Sequence, residues 1–317
     1  MATLTISPAD EKRVKALGFL SNRGTDNFSA RVITVNGAIT VAQTKCIAEA
    51  AELFGNGIIT FTTRLTVECQ GIPYEKIEDF QAYIAKAGLV TGGTGSKVRP
   101  VVSCKGSTCQ YGLIDASALS KEIHERFYKG YAGVKLPHKF KIAVGGCPNN
   151  CVKPDLNDLG IIGQMIPIFD EDNCNGCKKC SIVKSCPVNA ASVVDGILKI
   201  NSDICNNCGR CIGKCNFDAI EDGKQGYKIY IGGRWGKQVA QGQSLNKIFT
   251  NKEEALSVIE KALLLYREQG KTGERFAQTI NRLDFKNVEN QLLSDEILVR
   301  KQEILDAKLH LTGGATC

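Results

Sequence analysis

The chain has 317 residues, 43% hydrophobic and 23% charged, with 40 Lys and Arg against 33 Asp and Glu for a net charge of +7. That length predicts about two domains with a substantial core, no apolar run reaches the ~18 residues of a membrane span, and no long basic run or aromatic–basic alternation marks a nucleic-acid binder. The N-terminus MATLTISPADEKRVK lacks the charged-then-apolar layout of a secretory signal, which predicts a cytoplasmic protein. A modest positive charge serves solubility, and equally suits an anionic small substrate or an acidic redox partner.

Taken in order, residues 1–17 form an N-terminal segment with a short charged helix started by Ser7-Pro8. Asn27 to Val35 (NFSARVITV) alternates as a strand and ends in an Asn36-Gly37 turn. Thr40 caps a helix through Leu53 that stops at Gly55, and Gly57 to Arg64 (GIITFTTR) is β-rich. Pro73 opens a second helix that ends at Gly88, so residues 18–92 read as a small α/β half-domain with its helices on one face. The glycine-rich TGGTGS at 91–96 reads as a linker. Arg31 lies in the first strand and Arg64 ends the second. An arginine on a strand is commonly a surface residue, but strand ends are where open sheets place ligands.

Fifteen cysteines dominate the rest of the chain's chemistry. Thiols stay reduced in the cytoplasm, so grouped cysteines point to metal rather than disulfides. Cys104 and Cys109 enclose four residues, and Cys147 and Cys151 enclose three, in GGCPNNC. Zinc is the plain reading of such pairs. Glycines and a proline beside thiolates also suit a loop that aims N–H groups at cluster sulfurs. Between the pairs, Ile114 to Tyr128 reads as helix and Lys139 to Val144 as strand. On that strand Lys139 and Lys141 share one side, either as a solvent-facing edge or as a cation pair for an anion.

Residues 170–222 carry an internal repeat: Cys174, Cys177, Cys180 and Cys186, then Cys205, Cys208, Cys211 and Cys215, the first three recurring at an offset of 31. This resembles the bacterial two-cluster ferredoxin. The resemblance implies that each fourth cysteine crosses over, giving one cluster to Cys174, Cys177, Cys180 and Cys215 and the other to Cys205, Cys208, Cys211 and Cys186. Five residues rather than three precede Cys186, and Asn216 stands where proline is usual. Past the insert, Gly226 to Gly232 is a strand, Gly233 to Gly236 a turn, and Thr250-x-x-Glu253 a capping box for a long helix to about Gln269. A final charged helix runs from Ser294 to His310, within a tail at 287–317. Cys46, Cys69 and Cys317 have no partners by spacing and read as buried or free thiols. His124, His138 and His310 are scattered and form no metal set.

The words NFSAR (27–31), TTRLTVECQGI (62–72), CKGSTC (104–109), LPHKFKIAVGGCPNNC (136–151) and GYKIYIGGRWG (226–236) together resemble the sirohaem-containing sulfite and nitrite reductases. Within that family the chain is most similar to the catalytic C subunits of bacterial anaerobic sulfite reductases. The resemblance implies an α/β (α+β) fold: one reductase half, with a sirohaem and cluster domain at 93–169 and 223–286 and an inserted ferredoxin domain at 170–222. It implies a [4Fe–4S] cluster on Cys104, Cys109, Cys147 and Cys151, with the Cys151 sulfur shared with the sirohaem iron and Asn149 beside the cofactor. With the two clusters of the insert, that makes three [4Fe–4S] clusters and one sirohaem. Arg31, Arg64, Lys139 and Lys141 match the family's substrate-binding, cofactor-binding and proton-delivering cations. Family members commonly hold five residues inside the first cysteine pair, against four here.

The activity implied is six-electron reduction of sulfite to sulfide, with electrons entering through the insert from a donor subunit or ferredoxin. A homodimer or higher oligomer would complete the sites. Nitrite reduction to ammonia, an electron carrier without catalytic haem, and a reductase acting on a tetrapyrrole or other bulky substrate stand as alternatives.

Overall fold

The structure, a computed structural model, describes residues 6–309. His310, Cys317 and the outermost ends of the N-terminal segment and the tail lie outside the described residues. In chain order the elements are α1 (Pro8–Ala16), β1 (Phe19–Ser21), β2 (Asn27–Val32), α2 (Val41–Phe54), β3 (Ile59–Phe61), β4 (Val67–Pro73), α3 (Ile77–Ala85) and β5 (Val102–Ser103). Then come α4 (Ala116–Ile123), β6 (Ile142–Gly145), β7 (Leu159–Pro167), α5 (Ser181–Ser185), β8 (Ala191–Val194), β9 (Ile197–Ile200), β10 (Gly223–Ile231) and β11 (Gln243–Phe249). Five helices complete the chain: α6 (Lys252–Gln269), α7 (Phe276–Leu283), α8 (Phe285–Leu293), α9 (Glu296–Val299) and α10 (Lys301–Asp306). The expected mixed α/β architecture is present, in two compact units. One takes the chain up to Ser103, Leu119–Ala143 and everything from Ile259 on; the other takes Cys104–Ala118 and Val144–Val258.

The first unit contains an antiparallel sheet ordered β1-β2-β4-β3. Its helices begin where short polar side chains can satisfy first-turn N–H groups. The Ser7 side chain accepts from Asp10 N, and Thr40 with Gln43 forms a complete capping box at 3.1 and 3.0 Å. Phe19, Phe28, Ile47, Ile72 and Phe80 are almost fully buried between sheet and helices, with Phe19 and Phe80 edge to face at 6.0 Å. Each such side chain contributes roughly 1.5–3 kcal/mol by leaving water. Strand β4 is not foreshadowed by its sequence: Gly71 at φ +76 and the polar Glu68 and Gln70 interrupt the apolar alternation of VECQGIP.

Elsewhere in this unit Phe140, Tyr266 and Phe276 pack as a trio with ring centroids 5.2 to 5.8 Å apart. The tail is not one helix. It breaks at Arg300 into α9 and α10, and it is fastened by Lys261–Asp295 and Lys301–Glu260 ion pairs, each 2.6 Å, with Ile297 and Ile304 buried.

In the second unit, β7 and β10 pair antiparallel along their whole length, with β11 outside β10 and β6 beyond β7. The long helix α6 is capped by Asn251, whose side chain accepts from Glu253 N at 2.7 Å, in place of the expected Thr250 box. Asparagine is as good an N-cap acceptor as threonine, and it stands one residue nearer. Residues 170–222 make a small body of their own elements: α5 and the β8–β9 hairpin, turned at Asp195-Gly196 with both φ positive. Ile182, Ala191, Leu198 and Ile220 form its core, with Cys174, Cys180, Cys186, Cys211 and Cys215 packed round them. It is tied to β7 through Met165 N to Asn207 O at 2.7 Å, and to the chain just past β7 through Ile168 N to Asp222 O at 3.0 Å.

Candidate functional site

Two loops of the second unit bring four thiols together. Cys104 N donates to Val144 O at 3.1 Å, which sets the 104–109 loop beside the GGCPNNC loop. The Cys104 sulfur then receives the N–H groups of Gly106 at 3.3 Å and Gly146 at 3.1 Å. Gly106 needs to be glycine, because a Cβ there would sit 2.7 Å from the Ala116 Cβ, and Gly146 is tightly packed, a Cβ there lying 3.0 Å from the Gly106 Cα. Burial pushes the Cys147 thiol up; the Asn149 N–H works against it, and the sulfurs of Cys104, Cys151 and Cys109 push it further up. Those three sulfurs are therefore its immediate electrostatic neighbours. Cys151 differs from the other three in being exposed. Among the described residues no three His, Cys, Asp or Glu side chains converge as a single metal ion requires.

Cys186, from the first repeat, lines one cavity with Cys205, Cys208 and Cys211 of the second. Burial foremost lifts the Cys211 thiol to about 11, opposed by a backbone N–H and reinforced by the sulfurs of Cys205, Cys208 and Cys186. At Cys186 burial also pushes up, but the N–H groups of Val188, Ala190, Ala191 and Asn189 outweigh it and leave the thiol below its usual range. Leu198 N points at the Cys174 sulfur at 3.4 Å. Backbone donors aimed at sulfur are what a thiolate-ligated cluster needs. A cavity of about 600 Å³ is lined on one side by Cys147, Pro148 and Asn149 and on the other by Cys208, Gly209 and Arg210.

The cations gather in the first unit. Arg31, Arg64, Lys139 and Lys141, the four singled out from sequence, line a single pocket of about 220 Å³. A fifth, Arg99, joins them. Arg99 escapes a reading of the sequence because its placement depends on pairing between distant segments: Arg99 N donates to Phe140 O at 2.8 Å and Phe140 N to Lys97 O at 3.0 Å. The only local signal is KVRP beside the glycines. Nor is 91–96 a slack linker. Gly92 N donates to Arg31 O at 3.0 Å, and the Gly93 carbonyl accepts from both the Arg31 and Arg99 guanidiniums.

The two arginines reach the pocket differently. Arg31 lies within β2, where its N donates to Gly18 O at 2.9 Å and its guanidinium binds Glu68. A Cβ on Gly18 would meet Gly92 N at 2.3 Å, so this approach requires glycine. Arg64 does not end a strand. It sits in the turn between β3 and β4, next to Leu65 at φ +58, and its guanidinium donates to Pro100 O at 2.6 and 3.0 Å and to Ile142 O at 3.0 Å.

Beside the lysines, His138 Nδ1 accepts from Lys139 N at 2.7 Å. Burial first, then Lys139, Arg275 and Arg99, lower its pKa from 6.5 to about 4. The imidazole is thus neutral in the fold, while the unfolded chain takes up a proton near 6.5. The stability it supports is complete above the unfolded value and is lost as pH falls from about 6.5 towards about 4. Urea midpoints should therefore drop between pH 7 and pH 5, and His138→Asn should flatten that drop. A variant that keeps the full pH dependence would contradict the assignment. Of the unpaired cysteines, Cys69 is fully buried and its thiol is pushed up to about 12 by burial, an inert core residue.

Known proteins share both the sequence and the fold. Residues 94–298 match the family model described as the nitrite and sulphite reductase 4Fe-4S domain, and residues 22–87 match the nitrite/sulfite reductase ferredoxin-like half domain. The chain is 34% identical over 244 residues to the coenzyme F420-dependent sulfite reductase of Methanocaldococcus jannaschii, covering 76% of this chain and 38% of that one. It is 34% identical over 175 residues to the C subunit of the anaerobic sulfite reductase of Salmonella typhimurium, covering 49% of this chain and 48% of the other. The chain thus matches less than half the length of either. Among solved structures, dissimilatory sulfite reductase I shares the fold with a TM-score of 0.67 at 21% identity, over 84% of this chain and 69% of that one.

Proposed function

This chain belongs to the nitrite and sulphite reductase family, and from that premise we propose that it catalyses the six-electron reduction of sulfite to sulfide. The observation that supports this best is Cys147, which feels the sulfurs of Cys104, Cys109 and Cys151, with two glycine N–H groups on the Cys104 sulfur. That donor set fits a [4Fe–4S] cluster. The exposed Cys151 fits a sulfur shared with a second group, the sirohaem iron. Bound sirohaem would supply the redox-active iron and a macrocycle able to hold charge. Asn149, exposed and in the same loop, would stand beside it.

The remaining roles belong to the chain's own side chains. Lys139 and Lys141 bind the oxyanion and hand it protons as S–O bonds break. Arg64, fixed to three carbonyl contacts, is an anchor of constant charge. Arg99 adds a further cation. Residues 170–222 act as a two-cluster ferredoxin domain fed by a donor subunit or ferredoxin. Cys186, Cys205, Cys208 and Cys211 would hold the cluster nearer the Cys147 quartet, since Cys208 and Cys147 line the same cavity, and that cluster would supply electrons to it. The working protein is a homodimer or larger.

An anaerobic visible spectrum with iron and acid-labile sulfide counts tests this reading. Three clusters and one sirohaem require about twelve cluster irons, about twelve sulfides and tetrapyrrole bands. Zinc in the preparation, or broad cluster absorbance with no tetrapyrrole bands, would overturn it. Nitrite shares the charge class and electron count, so turnover of both anions is measured side by side.

A further inference from the structure

Glu68 is a carboxylate at the edge of the cation pocket, in a strand whose sequence gives no hint of a site. It stands directly opposite Arg31 in the β2–β4 register, and a single oxygen, Oε1, accepts from Arg31 Nε at 2.9 Å and Nη2 at 2.6 Å. The two side chains are only 20% and 19% exposed, so the pair is poorly screened by water. Arg31 is thus one half of an ion pair, and its charge is offset where it stands.

We infer that Glu68 is a positioning residue that sets the oxyanion affinity of this pocket, by clamping Arg31 in one orientation and offsetting its charge. The inference rests on the oxyanion reading of the pocket. A pocket with every cation unopposed would hold a divalent anion tightly and release an anionic product slowly. A carboxylate paired with one cation lowers that affinity while leaving the wall rigid.

Substitutions separate the two contributions. Glu68→Gln keeps an acceptor oxygen for Arg31 Nε and Nη2 and removes only the charge. One charge about 8 Å from a divalent anion, at an effective dielectric of about 40–80 in this water-accessible pocket, changes affinity about 5- to 30-fold. Calorimetric titration of the holoenzyme with sulfate, a redox-inert probe, should therefore show 5- to 30-fold tighter binding by E68Q, with a steeper salt dependence and a lower KM for sulfite without a higher kcat. Glu68→Ala, which also frees Arg31, should bind sulfate less tightly than E68Q. Glu68→Asp, which keeps the charge, should stay within about threefold of the parent chain. A purely structural role would weaken sulfate binding in E68Q and E68A alike, and that result, or unchanged affinity in E68Q, would overturn the inference. A parent holoenzyme that binds no sulfate would remove the oxyanion reading as well, whereas iron and sulfide counts would stand unaffected.

Discussion

Replacing Cys147 by alanine should remove about four irons per chain, abolish the tetrapyrrole bands, and lower sulfite reduction at least about 1,000-fold. A loss of that size corresponds to about 4 kcal/mol of barrier, far beyond what a packing change near a site produces. The reason lies in the loop. Cys147 sits among the sulfurs of Cys104, Cys109 and Cys151, and three thiolates leave one iron of a four-iron cluster without its protein ligand. On the proposed reading Cys151 would hold both groups, so loss of the cluster would carry the sirohaem with it. Cys69→Ala is the control. Its thiol is buried in the sheet-and-helix core and is not a ligand. The variant should lose a little stability, as a small core truncation does, yet keep its iron count. Equal iron loss in both variants would mean that the cofactors fall out through unfolding, and the ligand assignment would fail.

Lys141→Met should lower kcat/KM for sulfite by about 100- to 1,000-fold, with folding intact. An ammonium about 4 Å from an anion interacts with it by roughly 4 kcal/mol at an effective dielectric near 20, and loss of one preorganised donor to a developing charge costs about the same. Lys141→Arg separates binding from proton delivery. A guanidinium restores the charge, so KM should recover, but it gives up no proton at working pH, so kcat should stay low. Arg64→Lys should behave in the opposite way. Its guanidinium bridges Pro100 O and Ile142 O, which a single ammonium on a flexible stem reproduces poorly, so the variant should melt earlier as well as bind the anion less well. A Lys141→Met enzyme with parental kcat/KM would place the lysine outside the reaction.

Much of the fold was legible because its signals are local. Ser7-Pro8 and Thr40 with Gln43 announce helix starts within four residues, and the structure has both. The cysteine groups are likewise short-range words, and chain geometry alone puts Cys147 near Cys151 and Cys205 near Cys208. Other elements failed for equally physical reasons. The polar, glycine-interrupted β4 is a strand because β2 and β3 flank it on both sides, and the tail breaks at Arg300, where charged side chains find partners on α6.

The sequence by itself determined which residue types were present to do chemistry: twelve grouped thiols, two alternating lysines and two arginines, most of them within words that resemble the reductase family. Only the tertiary structure decided what each charge faces. It set Glu68 against Arg31, gave Arg64 three carbonyl contacts, brought Arg99 in from the segment after the glycines, and joined Cys186 to the second repeat. Ligand spacing is written in consecutive covalent bonds, whereas an ion pair across strands depends on a register that emerges only when both strands are packed.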